Sequence, residues 1–166
     1  MSKISDPIIL IVDTDAASAA ASQAFLTSHS YQVHNTPSPS RALEIAACQE
    51  IDLVICDLNV DGTDGQRLVE EIRALPNRSD VPVMFATSAQ SPDIIRKFHG
   101  SSASFHLKKP ISPQILLELV DRALWMPHLV QNHLEQQKEI RKTHFPIPGS
   151  VLDSTTIAKV TSNLFN

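Results

Sequence analysis

The sequence predicts an α/β fold, a five-stranded parallel sheet that is doubly wound, with helices on both of its faces. Apolar runs of strand length alternate with segments of helical period over the first three quarters of the chain. The run 7–12 is continuous and rich in β-branched side chains, which is typical of a strand buried on both faces, and 51–58 is predicted as a second buried strand. Strands that alternate with helices in this way form a parallel sheet.

The other strands and the helices follow in order. Further strands are predicted at 31–34, 81–87 and 104–107. Serine caps a helix and proline suits its first position, so three pairs mark helix starts: Ser38-Pro39, Ser91-Pro92 and Ser112-Pro113. Helical spacing predicts that the helix over 16–30 packs on the sheet through a stripe of small residues, Ala17, Ala20, Ala21 and Ala24. The helix before Pro76 has an apolar face formed by Leu68, Val69, Ile72 and Leu75. The helix after Pro113 has an apolar face formed by Ile115, Leu116, Leu119, Val120 and Ala123.

The length of 166 residues predicts one domain with a sizeable core, placed at 7–126, and a shorter C-terminal part. Residues 127–142 continue a helical period amid polar residues, which predicts a C-terminal helical extension that serves as a linker and contacts a second copy of the chain. Residues 143–166 are too few to bury a core alone. We interpret them as the start of an output domain or as a tail that packs on a partner.

Composition and charge exclude several classes of protein. The longest apolar run is far shorter than the ~18 residues of a membrane span, and the N-terminus lacks a secretory signal, so no membrane partner is expected. Two cysteines imply no disulfide framework, which favours the cytoplasm. A net charge of −4 without a Lys/Arg block argues against direct nucleic-acid binding.

The residues that follow the predicted strands carry the chemistry. In an open parallel sheet, ligands bind beyond the carboxyl ends of the strands. Those ends hold carboxylates, hydroxyls and an ammonium: Asp13, Thr14, Asp15, Asp57, Thr87, Ser88 and Lys109. Clustered carboxylates favour a hard cation such as Mg²⁺, and a carboxylate beside a cation and a lysine can attack phosphorus. The structural alternatives are that Asp57 only ends a strand and that Asp13 only caps a helix.

A flavin-binding module shares this architecture but is excluded. It would need a phosphate loop rich in Ser, Thr or Gly after the first strand. Asp13-Thr14-Asp15 offers carboxylates instead, which would repel a phosphate.

The whole set resembles a response-regulator receiver domain of the CheY-like family over 7–126. The matching stretches occur in order along the chain: Ile9-Leu10-Ile11-Val12-Asp13, Asp52-Leu53-Val54-Ile55-Cys56-Asp57-Leu58, Asp64-Gly65, Ala86-Thr87-Ser88 and Leu107-Lys108-Lys109-Pro110. The resemblance implies the flavodoxin-like strand order 2-1-3-4-5. It also implies a role in two-component signal transduction, and no enzyme activity in the usual sense.

The resemblance implies which residues receive the phosphoryl group and hold the metal. Asp57 would be the phosphoacceptor, loaded from the phosphohistidine of a histidine kinase or a phosphotransfer protein. Mg²⁺ would be held by Asp13, Asp57 and the backbone carbonyl of Asn59. Thr87 and Lys109 would contact the phosphoryl group, and a cis peptide between Lys109 and Pro110 would aim the ammonium into the site.

Three positions depart from the family pattern. Thr14 stands where the family usually has a second acid that ligates the metal, and a neutral hydroxyl is a poorer ligand, so normal and weakened Mg²⁺ binding both stay open. Asp15 is the nearest acid that could compensate. Asp61 replaces the usual proline, which predicts a looser acceptor loop with extra negative charge. His106 holds the switch position, usually Tyr or Phe, and would act with Thr87.

Three functions are compatible with this set of residues. The favoured one is a receiver that switches a partner or output surface when Asp57 is phosphorylated. The alternative is a degenerate, phosphorylation-independent receiver used for dimerisation or docking, which Thr14, Asp61 and His106 favour. The third is a phosphorelay intermediate. The start of the tail, with Arg141 and Lys142, loosely resembles the entry of PilZ domains, which bind cyclic di-GMP.

Overall fold

A computed structural model describes residues 5–88 and 104–125 of the chain. All of these residues belong to one unit, residues 1–128. The predicted helix that starts at Ser91-Pro92, the extension over 127–142 and the tail over 143–166 lie outside the described residues.

The strands form one central sheet and a separate small hairpin. Their bounds are β1 Ile8–Val12, β2 Gln32–Thr36, β3 Leu53–Asp57, β4 Asn59–Val60, β5 Thr63–Asp64, β6 Val83–Thr87 and β7 Ser104–Lys108. The central sheet has five parallel strands in the order β2-β1-β3-β6-β7, and β4 pairs with β5 in the hairpin. Counted within the central sheet alone, this is the order 2-1-3-4-5, so the predicted fold is confirmed.

The helices within the described residues begin after capping side chains, and of these Ser38 is predicted from the sequence but Asp15 and Asp64 are not. They are α1 Ala16–Ser28, α2 Pro39–Cys48, α3 Gly65–Arg73 and α4, residues 113–125. Asp15, Ser38 and Asp64 are the N-cap residues of α1, α2 and α3, and each side chain accepts a hydrogen bond from the first turn. Among the described helices, none is long and apolar enough to cross a membrane.

Strand residues alternate between two cores because successive side chains point to opposite faces of the sheet. The α2–α3 face contains alternate residues of β1, β3 and β6 together with α2 and α3: Leu10, Val12, Val54, Cys56, Val83, Phe85, Ala42, Ala46, Leu68, Val69 and Ile72. The α1–α4 face contains the intervening strand residues together with α1 and α4: Ile9, Ile11, Leu53, Ile55, Met84, Ala86, Ala19, Leu26, Leu116, Val120 and Ala123.

The predicted burial of two helices needs correction. The alanine stripe of α1 is exposed at all four positions, and the buried residues are instead Ala19, Ser22 and Leu26. Alanine loses little apolar area on burial, so Leu26 decides which side of the helix faces the sheet. In α4, Ile115 is 52% exposed rather than buried, whereas Leu116, Val120 and Ala123 pack as predicted.

Two arginines hold the α2–α3 face together through backbone carbonyls. Arg78 donates to the carbonyl of Ala46 at 3.0 Å and to the carbonyl of Gln49, both at the end of α2. Arg73, at the end of α3, donates twice to the carbonyl of Val81, at 3.2 and 3.0 Å. These contacts satisfy carbonyl groups that the helix end and the loop before β6 would otherwise leave unpaired.

Candidate functional site

The site is built where β1, β3 and β7 end. β1 and β3 are neighbours, with Val12 opposite Cys56, so the next residues along each strand bring Asp13 and Asp57 to the same edge. Lys109 follows β7 and reaches between them. Its Nζ lies 2.8 Å from both carboxylate oxygens of Asp13 and 2.7 Å from Oδ2 of Asp57. Three groups from distant parts of the sequence therefore form one charged cluster.

The cluster is largely withdrawn from water. The side chains of Asp13, Lys109 and Asp57 are 5%, 9% and 16% exposed. Burial alone lowers the pKa of Lys109, but its hydrogen bonds to Asp13 and Asp57 and the charges of both carboxylates outweigh burial and raise that pKa above its usual value. Lys109 is therefore an ammonium at neutral pH.

The two acids in the loop after β1, Asp13 and Asp15, accept hydrogen bonds from different groups. Asp13 Oδ1 accepts a hydrogen bond from the Asp15 backbone N–H at 2.8 Å, while the Asp15 carboxylate accepts from the N–H groups of Ala17 and Ser18. Asp15, not Asp13, is thus the N-cap of α1, and the alternative that Asp13 only caps a helix is wrong. Thr14 lies between them with an exposed side chain.

The loop after β3 is a closed hairpin. Asp61 and Gly62 have φ of +50° and +76°, the combination that a two-residue type I′ turn requires, and they join β4 to β5. Asn59 tightens the loop, because its N–H donates to Asp57 Oδ1 and its side-chain oxygen accepts from the Gly62 N–H. Aspartate tolerates positive φ and suits the turn. That Asp61 makes this loop looser than proline would stays a prediction.

Gly65 brings the start of α3 against the backbone of Asp57. Its N–H donates to the carbonyl of Leu58 at 2.9 Å. A Cβ atom at residue 65 would lie 2.0 Å from the carbonyl oxygen of Asp57. Only glycine therefore fits here, which accounts for the Asp64-Gly65 pair noted in the sequence.

The predicted switch residues lie beside the site on the last two strands. Thr87 ends β6, and its carbonyl accepts from the Lys109 N–H at 3.0 Å. His106 is exposed on β7, and its ring is stacked with that of Phe85, with centroids 6.2 Å apart. The Lys109–Pro110 peptide is cis, as predicted. The exchange between Thr87 and His106 stays a prediction.

Cys56 lies directly before Asp57 in the chain and is completely buried. Burial raises the pKa of its thiol to about 12, and the charges of Asp57, Asp13 and Asp64 act in the same direction. Cys48 is exposed. Cys56 therefore behaves as a small core residue.

A cavity of about 620 Å³ opens beside Asp57 and Lys109. Thr14 and Asp15 of the loop after β1, Phe25 of α1 and Leu116 of α4 are among the residues that line it. We call this cavity the α1–α4 groove. Asp57 is itself one of the lining residues, so the cavity reaches its carboxylate.

The donor set fits a divalent cation. Asp13 and Asp57 already converge on one cation, the Lys109 ammonium, and Mg²⁺ is commonly held by one or two carboxylates with water and phosphate oxygens. Within residues 5–88 and 104–125 there is no cluster of three or more His, Cys, Asp or Glu side chains that could hold a metal. The set therefore contains two carboxylates, and the Asn59 carbonyl stays a predicted third ligand.

Sequence reasoning correctly expected Asp13, Asp57 and Lys109 to meet at one edge of the sheet. It missed the groove, because a cavity depends on how α1 and α4 pack. It also left the task of Asp15 open, although an acid directly before a helical segment is itself a capping signal.

The sequence profile of one family, described as the response regulator receiver domain, matches residues 9–121. Among curated proteins, the transcriptional regulatory protein GlrR of Escherichia coli K12 is 32% identical over 117 residues, which is 70% of this chain. The chain spans 26% of the length of that regulator and 62% of the length of a curated relative from Porphyra purpurea.

Two solved structures show the same architecture. The signal receiver domain of an HD domain-containing protein from Pseudomonas fluorescens is 25% identical, with a TM-score of 0.68, and the match covers 80% of this chain and 96% of that one. The receiver domain of a sensor histidine kinase from Pseudomonas aeruginosa is also 25% identical, with a TM-score of 0.63, and the match covers 72% of this chain and 98% of that one. In that structure a magnesium ion is coordinated in the active-site cleft.

Proposed function

Because this chain belongs to the family of response regulator receiver domains of two-component signalling, we propose that Asp57 accepts a phosphoryl group from the phosphohistidine of a histidine kinase or a phosphotransfer protein. The observation that carries the proposal is the shared ion pair of Asp13, Lys109 and Asp57 at the mouth of the α1–α4 groove. It supplies a nucleophile, a fixed positive charge and a route of approach in one place.

The reaction is a phosphoryl transfer between two side chains. An Asp57 carboxylate oxygen attacks phosphorus, the P–N bond to the donor imidazole breaks, and the imidazole leaves with the bond's electron pair and takes up a proton. Lys109, already 2.7 Å from Asp57, would pair with the phosphoryl oxygens. The Thr87 hydroxyl would donate a hydrogen bond to one of these oxygens. The product is an acyl phosphate on the chain's own side chain, so we propose that the chain is a switch and not an enzyme in the usual sense.

Asp13 and Asp57 would hold Mg²⁺ together with the Asn59 carbonyl. The cation supplies charge neutralisation for the phosphoryl oxygens when it is bound. With Thr14 in place of an acid, its affinity would be lower than at a site with three carboxylates.

The output of the switch would lie on the surface near β6 and β7. Modification of Asp57 would bias Thr87 and His106 between two arrangements, and a partner or an output domain would bind one of them. Homodimerisation through 127–142 and a PilZ-like output domain from 143 onward are further proposals that the sequence alone supports. We also propose, from the sequence alone, that the protein is located in the cytoplasm and makes no direct contact with nucleic acid or membrane.

Modification of the intact chain by a small phosphodonor with Mg²⁺ tests the proposal. Acetyl phosphate should increase the mass of the chain by one phosphoryl group, and beryllofluoride should bind at the same site. Asp57→Asn should abolish both effects. Asp61→Asn is the matched control, because it removes a neighbouring exposed acid from a turn that asparagine also tolerates.

The opposite result would favour the alternative function. If the folded chain stays unmodified at millimolar Mg²⁺ while Asp61→Asn behaves identically, phosphoryl acceptance is wrong. The domain would then act as a phosphorylation-independent docking or dimerisation module. The observation in favour of this alternative is that Lys109 already neutralises part of the charge of the acidic site.

A further inference from the structure

We propose that the α1–α4 groove binds a small organic amine, with its ammonium at Asp15, a polar atom of its chain at Ser22 and an apolar end at Phe25. This goes beyond the proposed function, because it concerns reversible binding to the unphosphorylated chain and requires no phosphoryl transfer. The cavity of about 620 Å³ has the size of pockets that hold small molecules, roughly 300–1,000 Å³.

One wall of the groove is a single face of α1. Asp15, the cap of the helix, lies at one end of this face. Ser18, Ser22 and Phe25 follow at intervals of three or four residues, which places them in one row along the helix. With a rise of about 1.5 Å per residue, the row from Ser18 to Phe25 is about 10 Å long. The lining therefore changes in order from a carboxylate through two hydroxyls to an aromatic ring.

The opposite wall is apolar beyond Lys109. Its ammonium is already paired with the carboxylates of Asp13 and Asp57. The loop after β7 and the start of α4 contribute the uncharged side chains of this wall, Pro110, Ile111, Pro113 and Leu116. The apolar part of a ligand is therefore removed from water between this wall and Phe25.

Ser22 points to a ligand in the middle of the groove. It is 8% exposed, and within the described residues its hydroxyl has no hydrogen-bond partner, not even the carbonyl four residues earlier. In the same part of the chain every fully enclosed polar side-chain atom has a partner, so the Ser22 hydroxyl faces the groove that this residue lines. A ligand atom that bonds to this hydroxyl removes the cost of leaving it unpaired.

The charge of the groove favours a cation. Asp15 Oδ1 accepts both capping hydrogen bonds, at 3.1 and 3.2 Å, so Oδ2 is left for a ligand within the described residues. Three carboxylates, those of Asp13, Asp15 and Asp57, lie at this end with one ammonium, which gives it a net charge of −2. An organic ammonium is attracted to this end, whereas an organic carboxylate is repelled.

Calorimetric titration of the full chain at pH 7, without divalent cations, tests the proposal with three matched probes. N-(2-aminoethyl)benzamide carries an ammonium, an amide and a ring. N-(2-hydroxyethyl)benzamide has a hydroxyl in place of the ammonium, and N-benzoylglycine has a carboxylate there. The amine should bind about fivefold more tightly than the alcohol, as expected for one partly exposed ion pair, and N-benzoylglycine should bind most weakly. Equal affinities, or no binding of the amine at millimolar concentration, would overturn the proposal.

Two alanine variants locate the binding site. Ala21 lines the groove and Ala20 does not, although both are exposed on α1. Ala21→Phe should abolish binding of the amine because the ring fills the groove, whereas Ala20→Phe should leave the affinity unchanged. The same affinity in both variants would place the amine elsewhere and contradict the proposal.

Two further variants test the polar contacts. Asp15→Asn keeps the cap and should remove most of the amine's advantage over the alcohol. Ser22→Ala should weaken binding of the amine while raising the unfolding midpoint, because it removes an unpaired hydroxyl and alanine favours a helix. A lower midpoint with unchanged affinity would show that Ser22 serves the fold and not a ligand.

The outcomes for the groove and for Asp57 can be told apart. If no probe binds but Ala21→Phe prevents a protein donor from modifying Asp57, the groove holds a protein partner, so this proposal fails and the proposed function stands. If the amine binds as expected but Asp57 accepts no phosphoryl group, the reverse is true.

Discussion

The helices on the two faces of the sheet are held by different kinds of contact. On the α2–α3 face, the arginine contacts of Arg73 and Arg78 fasten helix ends to neighbouring loops. On the α1–α4 face, Tyr31 after α1 donates to Asp121 of α4, yet the helices leave a cavity of about 620 Å³ that leads to Asp57. Within the described residues, the α2–α3 face is fastened by these arginine–carbonyl contacts, and we call it the closed face. The α1–α4 face contains the groove beside Asp57, and we call it the open face.

This difference separates two requirements of the phosphoacceptor role that we propose for Asp57. Asp57 must be held in a fixed position, and it must also be reached by another protein. The closed face supplies the first requirement, because α3 begins directly against the carbonyl of Asp57. The open face would supply the second, because Asp57 lines a groove that a donor side chain could enter.

The largest expected effect comes from filling the contact between α3 and the acceptor. Gly65→Ala should lower the free energy of unfolding by about 3 kcal/mol or more, because the new Cβ would lie 2.0 Å from the carbonyl oxygen of Asp57. Urea unfolding measures the effect. Gly62→Ala is the control: it meets no atom within 4 Å and should cost only about 1 kcal/mol for its positive φ. Equal losses in the two variants would show that the contact does not fix the acceptor.

Opening the closed face should have an intermediate effect. Arg78→Ala removes the donors for the carbonyls of Ala46 and Gln49, so we expect a loss of about 2 kcal/mol. Arg67→Ala removes a guanidinium whose side chain is 77% exposed in an ion pair with Glu71, and should cost less than about 0.5 kcal/mol. A comparison of the two unfolding midpoints checks this prediction. Similar midpoints would mean that the face is not fastened by Arg78.

The smallest effect is expected on the open face. Burial, and then the hydrogen bond and charge of Asp121, raise the pKa of Tyr31 to about 12. Its proton is therefore held more tightly in the folded state, so the stabilisation is complete below pH 10 and disappears as the pH rises towards 12. Tyr31→Phe should cost about 1 kcal/mol at pH 7 and nothing near pH 12. The difference in unfolding free energy between the native chain and this variant, measured across that range, is the test, and a difference independent of pH would contradict it.

The fold was predictable because its signals are local and repeated. The continuous runs of β1 and β3 and the capping residues before the helices each act within a few residues. The meeting of Asp13, Asp57 and Lys109 was also predictable, since parallel strands end at one edge. The burial of α1 was not, because its alanine stripe has little apolar area and the packing of Leu26 overrides it. The groove and the capping task of Asp15 depend on contacts between elements, which a sequence pattern does not contain.

The hairpin after β3 restricts which substitutions the acceptor loop can accept one at a time. Proline, common in the family at this position, needs φ near −65°, whereas residue 61 has φ of +50°. Asp61→Pro alone is therefore incompatible with the turn, and so is a β-branched residue at 62. A chain that carries Asp61-Gly62 can therefore accept proline at residue 61 only if the turn is rebuilt at the same time, so two positions of this loop must change together.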